Sequence, residues 1–229
     1  MFIVTDVSPY AHGPAGVHSV LPQAATALEQ LADLASLRPL RVGAGAVPDL
    51  EPAALAGGGV LALFTIGETP WTAAQRAAIS DGVRSGRLAI LGVHAATDAC
   101  ASWEDYGSLL GARFDGHPWT TTFDIDVLDP SHPATKHLGP QWRWHDEVYL
   151  FRDLRPDADV LLRVAEGQLD MEAPGARRPP IGFPLAWSFT EGSGRVFYTS
   201  LGHFPGAWET PDYLVHLQGA LAWVLGEGG

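Results

Sequence analysis

Four short, nearly unbroken apolar runs govern what this chain can fold into: Met1 to Thr5 (MFIVT), Gly57 to Ile66 (GGGVLALFTI), Arg87 to Val93 (RLAILGV) and Arg195 to Leu201 (RVFYTSL). Runs of this length without polar alternation suit strands buried on both faces rather than helices. The segments between them have helical period. From Ser19 to Ser36, residues Leu21, Ala24, Ala25, Leu28, Leu31, Ala32 and Ala35 recur at spacings of three and four. Thr72-Ala-Ala-Gln75 has the form of a capping box and opens a helix to about Ser85. Trp103 to Leu110 reads as another helix, and Leu40-Arg41-Val42 as a short strand. Thr210-Pro211 offers an N-cap and an N1 proline to a last helix striped by Leu214, Leu217, Leu221 and Val224 and stopped at Gly226. The alternation predicts an α/β three-layer sandwich, a mostly parallel, doubly wound sheet with helices on both faces.

The middle of the chain breaks this pattern. In Thr120 to Leu128, Phe123, Ile125 and Val127 alternate with Asp124 and Asp126, which predicts a half-exposed, antiparallel strand. Val160 to Val164 reads as a further strand, and the proline-rich stretch Leu169 to Pro180 as an exposed loop. With no internal repeat, low-complexity tract or linker, the expectation is one domain spanning residues 1–229.

Composition narrows the function classes. A chain of 229 residues buries about 72% of its unfolded surface, enough for a core without metal or disulfide staples. Fourteen basic against 26 acidic residues give a net charge of −12, and no basic run interrupts it, which argues against a nucleic-acid partner. A single cysteine, Cys100, cannot make an internal disulfide and suits a reducing compartment. The start MFIVTDVSPY lacks the pattern of a signal peptide, and the longest apolar run, Gly59 to Phe64, is far short of a membrane span. A soluble, cytoplasmic protein is expected.

The candidate chemistry lies in where the histidines fall. Of the nine, His12 and His18 follow the first predicted strand, His94 follows RLAILGV and His203 follows RVFYTSLG. Ligands of open α/β sheets bind outside the carboxyl ends of the strands, so these side chains are expected on one rim. Imidazole works there as acid or base near neutrality, and its neutral ring is equally fit to hold a divalent metal. Leu91-Gly92-Val93-His94 has the form of a strand-to-helix elbow whose tip is a histidine rather than a serine or cysteine nucleophile. Asp146 and Glu147 are adjacent carboxylates; on an extended chain they point opposite ways, so at most one enters a given site. Eight tryptophans, among them Trp103 and Trp208 beside acidic residues, fit a pocket in which aromatic faces pack on sugar C–H faces. Exposed tryptophans such as Trp119 would equally serve a homo-oligomer interface. His132-Pro133 reads as a structural turn, and His117-Pro118 is open between turn and site. No dinucleotide, P-loop, CxxC, HExxH or EF-hand motif is present, so no cofactor is indicated beyond the metal option.

From His94 onward the chain resembles the trehalose-utilisation, ThuA-like family, whose fold is like that of class I glutamine amidotransferases. The resemblance is carried by Gly92-Val93-His94, the stretch from Trp103 to Pro118, Asp129-Pro-Ser-His132-Pro133, Asp146-Glu147-Val-Tyr149, the run Gly194 to His203, and Leu221-Ala222-Trp223. It implies a flavodoxin-like sheet and a role in the breakdown of a disaccharide or its keto-sugar derivative. It places His94, His117, Asp146 and His203 around the site. Amidotransferase relatives carry a catalytic cysteine at the elbow; His94 stands there in this chain, so glutaminase activity is not implied. Two readings follow. In the first, the protein is a sugar-processing enzyme (a keto-sugar isomerase, lyase or glycoside-cleaving enzyme) with His94, His203 and Asp146 in catalysis. His12, His18, Trp103, His117, Glu147 and Trp208 would then hold the small-molecule carbohydrate. In the second, it is a non-catalytic carbohydrate-binding or regulatory protein on the same fold.

Overall fold

The computed structural model describes residues 1–5 and 20–227. Strands β1 (Phe2–Val4), β2 (Leu40–Val42), β3 (Gly59–Leu63), β4 (Leu88–Val93) and β11 (Gly194–Thr199) run parallel in the order β2-β1-β3-β4-β11. On the β11 side the sheet continues antiparallel through β10 (Pro184–Glu191), β9 (Asp159–Val164), β6 (Trp119–Val127) and β7 (Gln141–Val148). Two short strands, β5 (Arg113–Phe114) and β8 (Phe151–Arg152), pair separately.

The apolar runs act as double-sided strands because consecutive side chains enter opposite layers. Val60, Ala62 and Phe64, with Leu91, Val93 and Phe197, join the core under α1 (Leu21–Leu34) and α5 (Pro211–Val224). Leu61, Leu63, Ile90, Val196 and Tyr198 enter the opposite core, beneath α2 (Pro52–Ala56), α3 (Ala73–Arg84) and α4 (Tyr106–Leu110). This is the expected three-layer α/β sandwich.

The helix signals read from sequence have mixed outcomes. Thr72 and Gln75 form the reciprocal capping box. Gly226 (φ +86°) ends α5, with its N–H and that of Glu227 donating to the carbonyls of Trp223 and Ala222, a left-handed stop that glycine makes without strain. Thr210 precedes α5 but does not cap it through its side chain; its hydroxyl donates back to the Gly206 carbonyl at 2.8 Å. The predicted helix at Trp103 begins only at Tyr106. Strands β7 and β10 are additions to the sequence-based expectation. Trp142 and Trp144 belong to the buried face of an alternating strand, β7. Leu169 to Pro180 does form no helix or strand, yet Leu169, Met171, Ala173 and Ala176 pack partly buried against the core.

The tryptophans are mostly structural. Seven of the eight are below 9% exposure, including Trp119, whose indole N–H donates to the Asp170 carbonyl at 2.6 Å. Trp119 is therefore not an exposed interface residue.

One histidine of the core supports a pH prediction. His216, on α5, is fully buried between Trp142, Phe197 and Tyr213, and its Nδ1–H donates to the Ala134 carbonyl at 2.8 Å. Burial, the largest cause, pulls its pKa down to about 4. The unfolded chain protonates this ring near its ordinary value while the native state resists, so the stabilisation is present above about pH 6.5 and is lost as pH falls toward 4. Wild-type protein is expected to lose on the order of 3 kcal/mol across that window through this ring. His216→Gln, measured by thermal melts at pH 7 and 4.5, should show a shallower acid slope; equal slopes would remove His216 as the cause.

Candidate active site

Two parallel strands deliver the first site residues. β4 leads directly into His94, which holds φ +48°, a left-handed backbone that a non-glycine residue adopts only where its surroundings enforce it. The enforcing contacts are visible. Tyr198 donates its hydroxyl to the His94 carbonyl at 2.6 Å, and Thr97 bonds the same hydroxyl at 2.9 Å. His94 is thus the tip of a strained elbow, completely buried, with Nδ1 2.7 Å from the Ser200 carbonyl oxygen. Because a carbonyl only accepts, the ring proton lies on Nδ1 and the Nε2 lone pair faces the site.

β11 delivers His203 through the turn Ser200 to Gly202. Gly202 holds φ +117°, and a Cβ there would come within 2.5 Å of the Tyr213 hydroxyl. His203 Nδ1 lies 3.2 Å from His94 Nε2.

The antiparallel extension brings the third contribution. β6 pairs with β9 only along Ile125–Val127, but with β7 from Trp119 to Asp126, so the open end of the β6–β7 hairpin leaves the sheet. It carries the end of β7 to the elbow. Glu147 Oε2 lies 3.6 Å from His94 Nε2 and 3.4 Å from His203 Nδ1. Glu147 Oε1 is 3.6 Å from Nδ1 of the half-exposed His117, and the Tyr149 hydroxyl is 2.8 Å from His94 Nε2. Burial, reinforced by the neighbouring charge of Asp146, pushes Glu147 up to about 7. Burial also lowers His203 and His117 and holds Tyr149 protonated.

Asp146 faces the other way, as extended geometry requires of adjacent residues. Its Oδ2 accepts from Gly202 N at 2.8 Å and Trp144 Nε1 at 3.0 Å; its Oδ1 accepts from Glu147 N at 3.0 Å and His203 N at 3.3 Å. Burial raises it to about 6 despite these four donors. Asp146 thus holds the backbone carrying His203, and Glu147 is the carboxylate that faces the imidazoles.

The structure therefore brings together His94, His203, Glu147 and His117, and adds Tyr149, which the sequence offers only as part of a family motif. Trp208 stands one ring behind, donating to the Gly202 carbonyl at 2.9 Å and stacking on Phe64, itself edge-on to His94. Trp103 is not brought to the site; it is buried against Tyr106 beneath the Arg76 guanidinium. His12 and His18 lie outside the described residues. Cys100 is a buried thiol in the core under α3 and α4, and His132 is a turn residue packed on Phe197 and Trp223. Beside the site, an open cavity of about 680 Å³ is lined by Trp142, Trp144, His145, Phe204 and Asp212, and the Phe204 ring packs edge-on against His203.

The sequence model of the ThuA family, described as trehalose utilisation, matches residues 11–224. The chain belongs to the ThuA family. A ThuA-like protein from Bacteroides uniformis superposes with a TM-score of 0.76 at 20% identity, covering 98% of this chain and 91% of the other. One from Parabacteroides merdae gives 0.73 at 18% identity, covering 100% and 91%. A protein from Thermoplasma acidophilum assigned to GMP synthase gives 0.51 at 11% identity over 99% and 96%. At these identities the likenesses speak for the fold, which ThuA-like and glutamine amidotransferase-like proteins share. No curated protein matches the sequence. Membership in the ThuA family ties the chain to carbohydrate metabolism. Among the described residues no helix is long and apolar enough to cross a membrane.

Proposed function

We propose that this ThuA protein processes a carbonyl-bearing sugar derived from a disaccharide, with His94, Glu147 and His203 as the reacting centre and Asp146 as the positioning residue behind them. The observation that carries the reading is the convergence of two imidazoles and one carboxylate within 3.6 Å at the carboxyl edge of the sheet. A carbonyl acidifies the neighbouring C–H, so a base of this cluster removes that proton and leaves an enolate. Returning the proton at the former carbonyl carbon, while the hydroxyl proton on the deprotonated carbon passes to the enolate oxygen, isomerises the sugar. Alternatively, the carbonyl re-forms and the enolate pair makes a new double bond to the glycosidic carbon as its C–O bond breaks, and the departing alkoxide takes a proton from an acid of the site. His117 lies on the more open side and suits substrate hydroxyls, and the aromatic rings lining the adjoining cavity suit sugar C–H faces. The elbow has an imidazole where acyl-transfer relatives need a thiol, which leaves glutamine hydrolysis without a nucleophile. A cytoplasmic location, in keeping with the reduced Cys100, belongs to the same reading.

The test is proton NMR of the purified protein with mono-, di- and 3-keto-disaccharides, followed over time. Conversion of a keto-sugar is the expected result, and its product names the bond moved. Line broadening without conversion would replace the enzyme by a sugar-binding protein, and no response across the panel would remove the carbohydrate assignment from this site.

A further inference from the structure

Building on the reading of this cluster as the reacting centre, the geometry points to a divalent transition-metal site made by His94 Nε2, Glu147 Oε2 and His203 Nδ1. The three atoms form a triangle with edges of 3.2, 3.4 and 3.6 Å. An ion bound at about 2.0–2.2 Å holds neighbouring ligand atoms about 3.0 Å apart at right angles and about 3.4 Å apart in a tetrahedron. The triangle therefore has the size of one face of a coordination sphere. Among the described residues this is the set of histidine and acidic groups whose ligand atoms converge so closely.

The orientation of the groups agrees with their spacing. Anchoring His94 Nδ1 on the Ser200 carbonyl turns the Nε2 lone pair inward, the arrangement in which metal-bound imidazoles are held. Glu147 Oε1 is engaged by His117, which leaves Oε2 for the ion. His94 Nε2 and Glu147 Oε2 face each other across 3.6 Å, close enough to share one cation. An ion would displace the Tyr149 hydroxyl from Nε2. Two imidazoles and one carboxylate favour Zn²⁺, Co²⁺, Mn²⁺ or Fe²⁺ over Mg²⁺ and Ca²⁺, which take oxygen donors. Three protein ligands leave a position for a sugar carbonyl oxygen, whose polarisation by the ion acidifies the adjacent C–H. The three side chains are then ligands, and proton transfer passes to His117 on the open side.

Titration of the chelator-stripped full chain with Zn²⁺ by calorimetry, and with Co²⁺ by its visible absorption, decides the matter without any sugar present. One ion per chain is expected, undiminished by excess Mg²⁺. Glu147→Gln and His203→Ala should weaken binding by at least about 100-fold, while His145→Ala, outside the triangle, should not. Should the variants unfold, anomalous diffraction from wild-type crystals soaked in Zn²⁺ locates the ion directly. No stoichiometric binding, or an ion seated away from the three atoms, overturns the proposal. Sugar conversion that survives complete chelation would remove the metal and keep the proposed function, whereas ion binding without conversion would do the reverse.

Discussion

Replacing Asp146 with alanine is expected to destabilise the protein by about 3–5 kcal/mol at pH 7, the cost of breaking a buried charged network by removing one partner. The carboxylate accepts from the backbone N–H groups of Gly202, His203 and Glu147 and from the Trp144 indole, and its residue is wholly buried. Each donor left unpaired costs roughly 1–3 kcal/mol, and relaxation of the turn at Gly202 limits the sum. For a chain of this size the melting temperature should fall by roughly 6–20 °C, read by calorimetry. Asp146→Asn keeps the volume but sets an amide NH₂ against N–H donors, so it should fall between wild type and alanine. In the folded asparagine variant, kcat on a converted keto-sugar should drop more than KM rises, because His203 is displaced while His117 keeps its place. A melting temperature unchanged in Asp146→Ala would show that these four hydrogen bonds do not hold the turn.

The same pair of residues shows what the sequence makes legible. Strand ends are readable from unbroken apolar runs, so the placement of His94 and His203 on one edge follows from where those runs stop. That adjacent carboxylates of an extended segment diverge is also readable, but which of them faces the imidazoles is not. That choice depends on the β6–β7 hairpin leaving the sheet, a tertiary event set by β6 losing β9 as a neighbour beyond Ile125. Tyr149 is hidden for the same reason, since its distance from His94 in sequence is bridged by that bend. The tryptophans mislead because a large amphipathic ring beside a charged residue suits a sugar pocket and an alternating strand equally well. In Trp142-Arg143-Trp144-His145 the period-two burial is the signal for the strand, with Arg143 reaching Asp124 on the outer face. Trp103 sits likewise in core packing that its local sequence does not distinguish from a loop.

The elbow concentrates the function of the site in one residue. On a keto-sugar that the wild type converts, His94→Asn is expected to reduce kcat/KM by about 10²–10⁴-fold, the range of a lost acid–base group. Asparagine is the informative replacement because position 94 holds φ +48°, where asparagine is at ease and alanine adds strain. The backbone of the elbow should survive, since Tyr198, its hydroxyl in turn bonded by Thr97, holds the carbonyl of residue 94 rather than its side chain. Stability should therefore change by no more than the loss of one buried ring, a few kcal/mol, with the fold intact by circular dichroism. His132→Asn, at a turn residue packed on Phe197 and Trp223 away from the cluster and the cavity, serves as the comparison. Activity retained in a folded His94→Asn protein would move the reacting centre off the elbow. Activity lost in His94→Asn and kept in His132→Asn would tie the chemistry to the point where β4, β11 and β7 meet.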